Sequence, residues 1–263
     1  MGICFGKIEK KYEIIRTIQT IKNGEILLAE KANKYFVMKR KTRNRKQFHR
    51  LTTEREILKI LNCKYIIKIV DTLDDEKYFI NVFPYTKSID MYAYFIENNN
   101  IKNESIIKKS FYQLFLALQY LKNNDIIHRD IKLENILINE KNHHVCLIDF
   151  DLAIIGCSKT NKLTGTEAYL SPELLNNGIT NFSNDIWGAG VSLFIILFEN
   201  FPFGNDREEI MRNQKTYKMN FLECINENMS YELLNLLNCM LTIDYKQRVK
   251  IEEILRNYWI QSI

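Results

Sequence analysis

Residues 127–137 read IHRDIKLENIL. Within eleven residues the stretch carries a carboxylate at Asp130, an amine at Lys132 and a carboxamide at Asn135. A helical pattern precedes it and a short apolar run follows, so the three polar groups belong to a loop. A second stretch, CLIDFDLA (Cys146–Ala153), reads as a buried strand ending in Asp149. An acidic residue at such a strand end is where a metal-phosphate site places a ligand. The set matches the demands of phosphoryl transfer. One carboxylate orients the attacking hydroxyl, a cation meets the moving phosphoryl group, and oxygen donors hold Mg²⁺. Asp130 offers the first, Lys132 the second, Asn135 and Asp149 the third.

Working outward, the chain changes character. Between Tyr12 and Phe83 the apolar runs are short: YEIIRTI, EILLAE, YFVMK, YIIKIV and YFINVF. They predict strands, with a single helix around Phe48–Leu61. From Ser88 onward helices dominate. Ile107, Phe111, Leu114, Leu118 and Leu121 recur at helical spacing and give one apolar face. The stretch IWGAGVSLFIILF (Ile186–Phe198) is apolar on nearly all sides. It is too short to span a bilayer and predicts a buried central helix. The expectation is an α+β, bilobal chain. Residues 1–11 form a leader, 12–86 a strand-rich lobe and 87–263 a helical lobe, with the ligand cleft between the lobes.

The 263 residues suffice for one large domain or two small lobes. A net charge of +5 fits an anionic ligand and is too mild to indicate nucleic acid. Three prolines and nine glycines leave little room for a flexible linker. The six cysteines show no C-x-x-C pair, which speaks against structural zinc and for a reducing, cytoplasmic setting. The start, MGICFGK, has two readings. It is a short leader, or Gly2 and Cys4 are acylated and Lys7, Lys10 and Lys11 meet anionic lipid. Gly6 stands where the myristoylation pattern wants Ser or Thr.

These motifs resemble the eukaryotic protein-kinase family, through H-R-D-x-K-x-x-N followed by D-F-x. The resemblance covers about Tyr12 to Trp259. It implies ATP and Mg²⁺ as cofactors, a protein Ser or Thr hydroxyl as acceptor, and a monomer. FVMK then places Lys39 on the α- and β-phosphates, with Glu54 as its partner and Glu56 as the rival. Ile18, Ile26, Val37 and Leu137 fall where adenine is sandwiched. NVFPYT resembles the hinge, with Phe83 as gatekeeper and Tyr85 and Thr86 offering backbone groups. In GTEAYLSPE, Thr166 is expected to bond Asp130 and Lys132, an arrangement of the Ser/Thr branch. NDIWGAGV sets Asp185 against the catalytic loop, and DYKQRV pairs Arg248 with Glu173. The stretch HRDIKLENIL leans towards the calmodulin-kinase-like group. The resemblance leaves almost no residues for regulatory domains.

Three departures stand out. The glycine-rich loop G-x-G-x-x-G is replaced by QTIKNG, Gln19–Gly24, which keeps only Gly24. Fewer glycines imply a stiffer loop and weaker phosphate cover. Asp151 stands in place of the glycine of D-F-G, which bears on switching more than on the metal ligand. In the activation segment Lys162 occupies the usual phosphothreonine position, leaving Ser158, Thr160 and Thr164 as candidates near Arg129. Two functions follow: an active Ser/Thr kinase, or a nucleotide-binding pseudokinase that acts as a scaffold or allosteric partner. Asp90 and Glu134 fall where acids read substrate arginines.

Overall fold

Glu13–Ile21 (β1), Gly24–Lys31 (β2) and Lys34–Thr42 (β3) run antiparallel along the start of the chain. The computed structural model describes residues 11–43, 48–98, 103–159, 164–204, 206–215 and 229–262, with the side chains of 48–50 excepted. Gly2, Cys4, Lys7, Lys10, Thr160, Lys162 and Cys224 lie outside these. The chain divides into two compact units, 1–63 with 67–87, and 64–66 with 88–263.

In the first unit, Asp71–Asp74 (β4) and Tyr78–Pro84 (β5) complete a five-stranded sheet of order β1-β2-β3-β5-β4. Ala32 and Asn33 both have positive φ, the signature of a tight two-residue hairpin whose twist suits the strands it joins. Register sorts the side chains to two faces, because cross-strand partners share a face. Leu27, Met38 and Val82 align on one and pack with Tyr12, Ala29 and Ile80 into a core. Ile26, Lys39 and Asn81 align on the other, and beside them Leu28, Val37 and Phe83. The helix Phe48–Ile60 (α1) supplies Glu54 to that second face.

The run YIIKIV does not form the predicted strand. Strand β4 begins one residue later, at Asp71. Of the run, only Ile66 is fully buried, and it makes a lone parallel bridge to Leu147. Tyr65 accepts a hydrogen bond from Leu147 N at 2.8 Å. These residues are held by the second unit, so an apolar run that reads as one strand is divided between two cores.

The second unit is mainly helical. Ile89–Asp90 (β6), Ile136–Ile138 (β8) and Val145–Leu147 (β9) form a small sheet of order β6-β8-β9. Ile126–Ile127 (β7) pairs with Ile154–Ile155 (β10), and Ser158–Lys159 (β11) with Ile179–Thr180 (β12). The long helix Glu104–Asn123 (α2) is capped by Asn103 and buries Ile107, Phe111, Leu114, Leu118 and Leu121. After the short helix Pro172–Asn177 (α3) comes Phe182–Phe198 (α4), where every residue from Asn184 to Leu197 is buried. Its first turn is closed by a capping box between Asn181 and Asn184. Arg207–Lys215 (α5), Tyr231–Met240 (α6), Ile251–Arg256 (α7) and Tyr258–Gln261 (α8) complete the described α-helices. No helix among the described residues is long and apolar enough to cross a membrane.

Glu104 ties three helices of this unit together. Its Oε1 accepts from Ser230 Oγ at 2.6 Å and Trp259 Nε1 at 2.7 Å, and its Oε2 from Ser230 N at 3.2 Å. Arg248 and Glu173 form a buried two-pronged pair, with both N···O distances below 3 Å. A fork-to-carboxylate geometry makes such a pair directional.

Candidate active site

The loop between β7 and β8 gathers most of the polar chemistry. Lys132 Nζ lies 3.1 Å from Asp130 Oδ2 and donates to Thr166 Oγ1 at 2.8 Å. Thr166 Oγ1 lies 3.4 Å from Asp130 Oδ1. Asn135 Nδ2 donates to Asp130 Oδ2 at 2.9 Å and to the Asp130 carbonyl at 2.8 Å. With its nitrogen so committed, Asn135 presents its oxygen as the metal-capable atom. In the sequence Asp130, Lys132 and Asn135 lie within six positions on one loop, and Thr166 comes thirty-one positions later. The structure closes them into one cluster, with Asp130 at its centre.

Buried backing holds the loop. Asp185 accepts from His128 N and Arg129 N, both at 2.8 Å. Burial pushes the Asp185 carboxyl upward, and His128 with the two backbone donors opposes that. His128 Nε2 meets the Ile148 carbonyl at 3.0 Å, and its ring stacks edge-on against Phe150 at 4.6 Å. Arg129 and Asp149 both adopt left-handed backbone, at φ +67° and +62°. Non-glycine residues hold such angles only where their surroundings enforce them.

Strand β9 ends at Leu147, two residues before Asp149, so the metal-type carboxylate sits on a kinked segment beyond the strand. The residue in the left-handed region is Asp149. Asp151 has a negative φ, so the residue replacing glycine imposes no backbone strain in this conformation. Its N–H approaches Asp149 Oδ1 at 3.4 Å.

One contributor was not foreseen from the sequence. Gly188, on α4, faces Ile131 between Asp130 and Lys132. A Cβ there would stand 2.7 Å from the Ile131 carbonyl oxygen. Only glycine lets the buried helix come this close to the loop backbone. A glycine inside an apolar helix gives no local sign of such a role.

In the first unit, Lys39 Nζ lies 2.8 Å from Glu54 Oε1, and both residues are buried. Glu56 is exposed, so burial and distance select Glu54. Ile26, Val37 and Phe83 share the face that carries Lys39. Ile18 is 41% exposed, at the irregular part of β1. Tyr85 N donates to the Tyr35 carbonyl at 3.1 Å, which engages the N–H expected to serve adenine; Thr86 is exposed. Leu137 belongs to the second unit, on β8, paired with Cys146.

The hairpin that replaces the glycine-rich loop is tight. Strand β1 continues to Ile21, which pairs directly with Gly24. Asn23 is left-handed, and its carbonyl accepts from Thr42 N and Thr42 Oγ1. A Cβ on Gly24 would lie 2.1 Å from the Arg40 carbonyl. In this structure Gly24 is needed for the close approach of β3.

Several candidate side chains are engaged elsewhere. Lys11 pairs with Asp71 at 2.6 Å. Asp90 Oδ1 caps Ala93 N at 2.8 Å. Burial drives the pKa of the Tyr169 hydroxyl upward, and the nearby Glu134 carboxylate adds to the rise. Arg129 Nε donates to the Leu152 carbonyl. Ser158 is exposed in β11, while the Thr164 hydroxyl is buried without a partner among the described residues.

The protein-kinase-domain family model matches residues 13–260, nearly the whole chain. The chain therefore belongs to the protein kinase family, and its strand-rich and helical units are those of the bilobal kinase fold. It is similar to a probable serine/threonine-protein kinase, a KIN1 homolog of Enterocytozoon bieneusi, at 29% identity over 259 residues. That match covers 95% of this chain and 42% of the relative, so the chain spans about two fifths of the relative's length.

Proposed function

We propose that the chain is an active protein kinase that transfers the γ-phosphate of ATP to a Ser or Thr hydroxyl of a protein. The observation that supports this reading best is the Lys132 amine held between Asp130 and Thr166. A chain drifting away from catalysis has no reason to keep that cluster closed. Asp130 orients the acceptor hydroxyl and takes its proton as the bond to phosphorus forms. Lys132 neutralises charge on the moving phosphoryl group. The Lys39 amine, fixed by Glu54, holds the α- and β-phosphates. Ile18, Ile26, Val37 and Phe83 offer the nucleotide an apolar face beside Lys39, and the Tyr85 carbonyl and the backbone of Thr86 serve adenine. The Asn135 oxygen and the Asp149 carboxylate are hard donors that fit Mg²⁺, which supplies charge neutralisation between phosphates. Ser/Thr preference is favoured by Lys132 with Thr166 and by the KIN1-type relative.

The hairpin supports a second reading, a nucleotide-binding pseudokinase. Its tip is tied to Thr42, and Gly24 is pressed against β3, so little backbone is available to wrap phosphates. Among the described residues Cys63, Cys146, Cys157 and Cys239 are not in disulfides, which suits a reducing, cytoplasmic setting for either.

The deciding experiment is Mg²⁺-dependent transfer from labelled ATP to the chain itself and to a generic basic protein, beside an Asp130→Asn variant. Wild-type transfer that falls by about 10²-fold or more in the variant, with the melting temperature kept, supports the kinase. No transfer by either, with melting still raised by ATP, overturns it in favour of the pseudokinase.

A further inference from the structure

Asn81 is a buried amide on β5, 2% exposed, on the same sheet face as Lys39, its direct partner on β3. Its Oδ1 accepts from Arg55 Nε at 2.9 Å, and its Nδ2 points to Glu54 Oε2 at 3.4 Å. The order of these contacts is forced. A guanidinium only donates, so Arg55 fixes which end of the amide faces it. The NH₂ end is then left for the Glu54 oxygen opposite the one that receives Lys39.

Arg55 is itself held on several sides. Its NH1 and NH2 each donate to an Asp74 oxygen at 2.9 Å, and NH2 also reaches the Ile80 carbonyl at 3.0 Å. Its guanidinium lies 3.5 Å from the Phe79 ring centroid. Burial acts to raise the Asp74 carboxyl, but Arg55 reverses this and holds it below its usual range. The result is a continuous relay, Asp74–Arg55–Asn81–Glu54–Lys39, across β4, α1, β5 and β3.

From this geometry we infer that Asn81 is a positioning residue. It supplies the donor for the second oxygen of Glu54, and together with Arg55 it locks α1 in the rotation that keeps Glu54 on Lys39. Glu54 and Arg55 are consecutive, so a turn of α1 that released Glu54 would also tear Arg55 from Asp74 and Asn81. The ion pair is thereby assembled by the unit's own buried polar groups. Hydrogen bonds to both oxygens offset the cost of burying a carboxylate, and Asn81 supplies one of them. The inference rests on the proposed role of Lys39 at the phosphates.

The test is a double-mutant cycle between Asn81→Asp and Glu54→Gln, read as Mg·ATP affinity by calorimetry and as kcat and KM for ATP. Asn81→Asp keeps the acceptor for Arg55 and removes the donor to Glu54. The double variant restores the hydrogen bond with donor and acceptor exchanged. Each single change is expected to weaken ATP binding about tenfold, with KM moved more than melting temperature. The double variant is expected to be at least about fivefold tighter than the product of the two losses. Multiplying losses, or an Asn81→Asp chain that binds ATP as wild type does, overturn the inference. Should Asn81→Asp fail to fold, Asn81→Leu is measured instead. Weakened ATP binding with the fold kept supports the inference, and unchanged binding overturns it. A wild type that binds ATP without transfer defeats the enzymatic reading alone, because the affinity cycle still decides the role of Asn81. A wild type that binds no ATP overturns both.

Discussion

Lys132 Nζ donates to Thr166 Oγ1 at 2.8 Å, across thirty-four positions of sequence. This bond fastens the end of the activation segment to the catalytic loop, since the same amine also meets Asp130. Thr166→Val removes the hydroxyl and leaves the Lys132–Asp130 contact. Losing one charge-assisted hydrogen bond predicts phosphotransfer about 10- to 100-fold slower. Thr166→Ser should keep most of the rate. Steady-state kinetics on the two variants, with wild type beside them, checks this.

Gly188→Ala should damage activity from inside an apolar helix. The new methyl would press on the Ile131 carbonyl at 2.7 Å, between Asp130 and Lys132, the residues proposed to act on the phosphoryl group and its acceptor. Overpacking of this kind costs about 1–3 kcal/mol. The displacement falls between Asp130 and Lys132, so kcat should fall by more than the loss of stability accounts for. Comparison of melting temperature and kcat tests that ordering.

Gly24→Ala should lower stability before it touches nucleotide affinity, because a Cβ would stand 2.1 Å from the Arg40 carbonyl. Gln19→Gly makes the opposite case. Gln19 pairs with Ile26 at an irregular part of the β1–β2 ladder, where a glycine loosens the strand by about 1 kcal/mol or less. It should tighten Mg·ATP binding by exposing backbone donors. Thermal melts and calorimetry on the two variants separate the effects.

Acid stability should depend on Glu104. Burial acts to raise its pKa, but the Ser230 and Trp259 donors together outweigh it, and the net shift is below the ordinary 4.5. A carboxylate depressed in the folded state contributes stability that is full above its unfolded pKa. That contribution is lost as pH falls through the folded value. Glu104→Gln should therefore melt lower than wild type at pH 7, and the gap should narrow below about pH 4.5. Asp71, Asp74 and Glu252 are depressed as well and steepen the same acid limb.

Much of this was legible in the chain. Asp130, Lys132 and Asn135 sit within six positions, and local spacing carries their reading. The apolar face of α2 follows from periodicity alone. That the run Tyr65–Val70, expected as a strand, forms none was not legible, because hydropathy does not say which of two cores an apolar run joins. Nor was Asp149 readable as left-handed, since its φ is imposed by what packs around it.

The sequence by itself carried the motifs that resemble the family's, the change from strand-rich to helical pattern, and polar groups of the kind phosphoryl transfer needs, because motifs and hydropathy patterns are short-range. Only the tertiary structure decided that Glu54 meets Lys39 while Glu56 faces solvent, and that Gly24 serves strand packing. It alone decided that Asn81 and Arg55 complete the ion pair. Each of those outcomes depends on strand register and helix rotation. They bring together side chains far apart in the chain, and a buried charge then takes whichever partner geometry delivers.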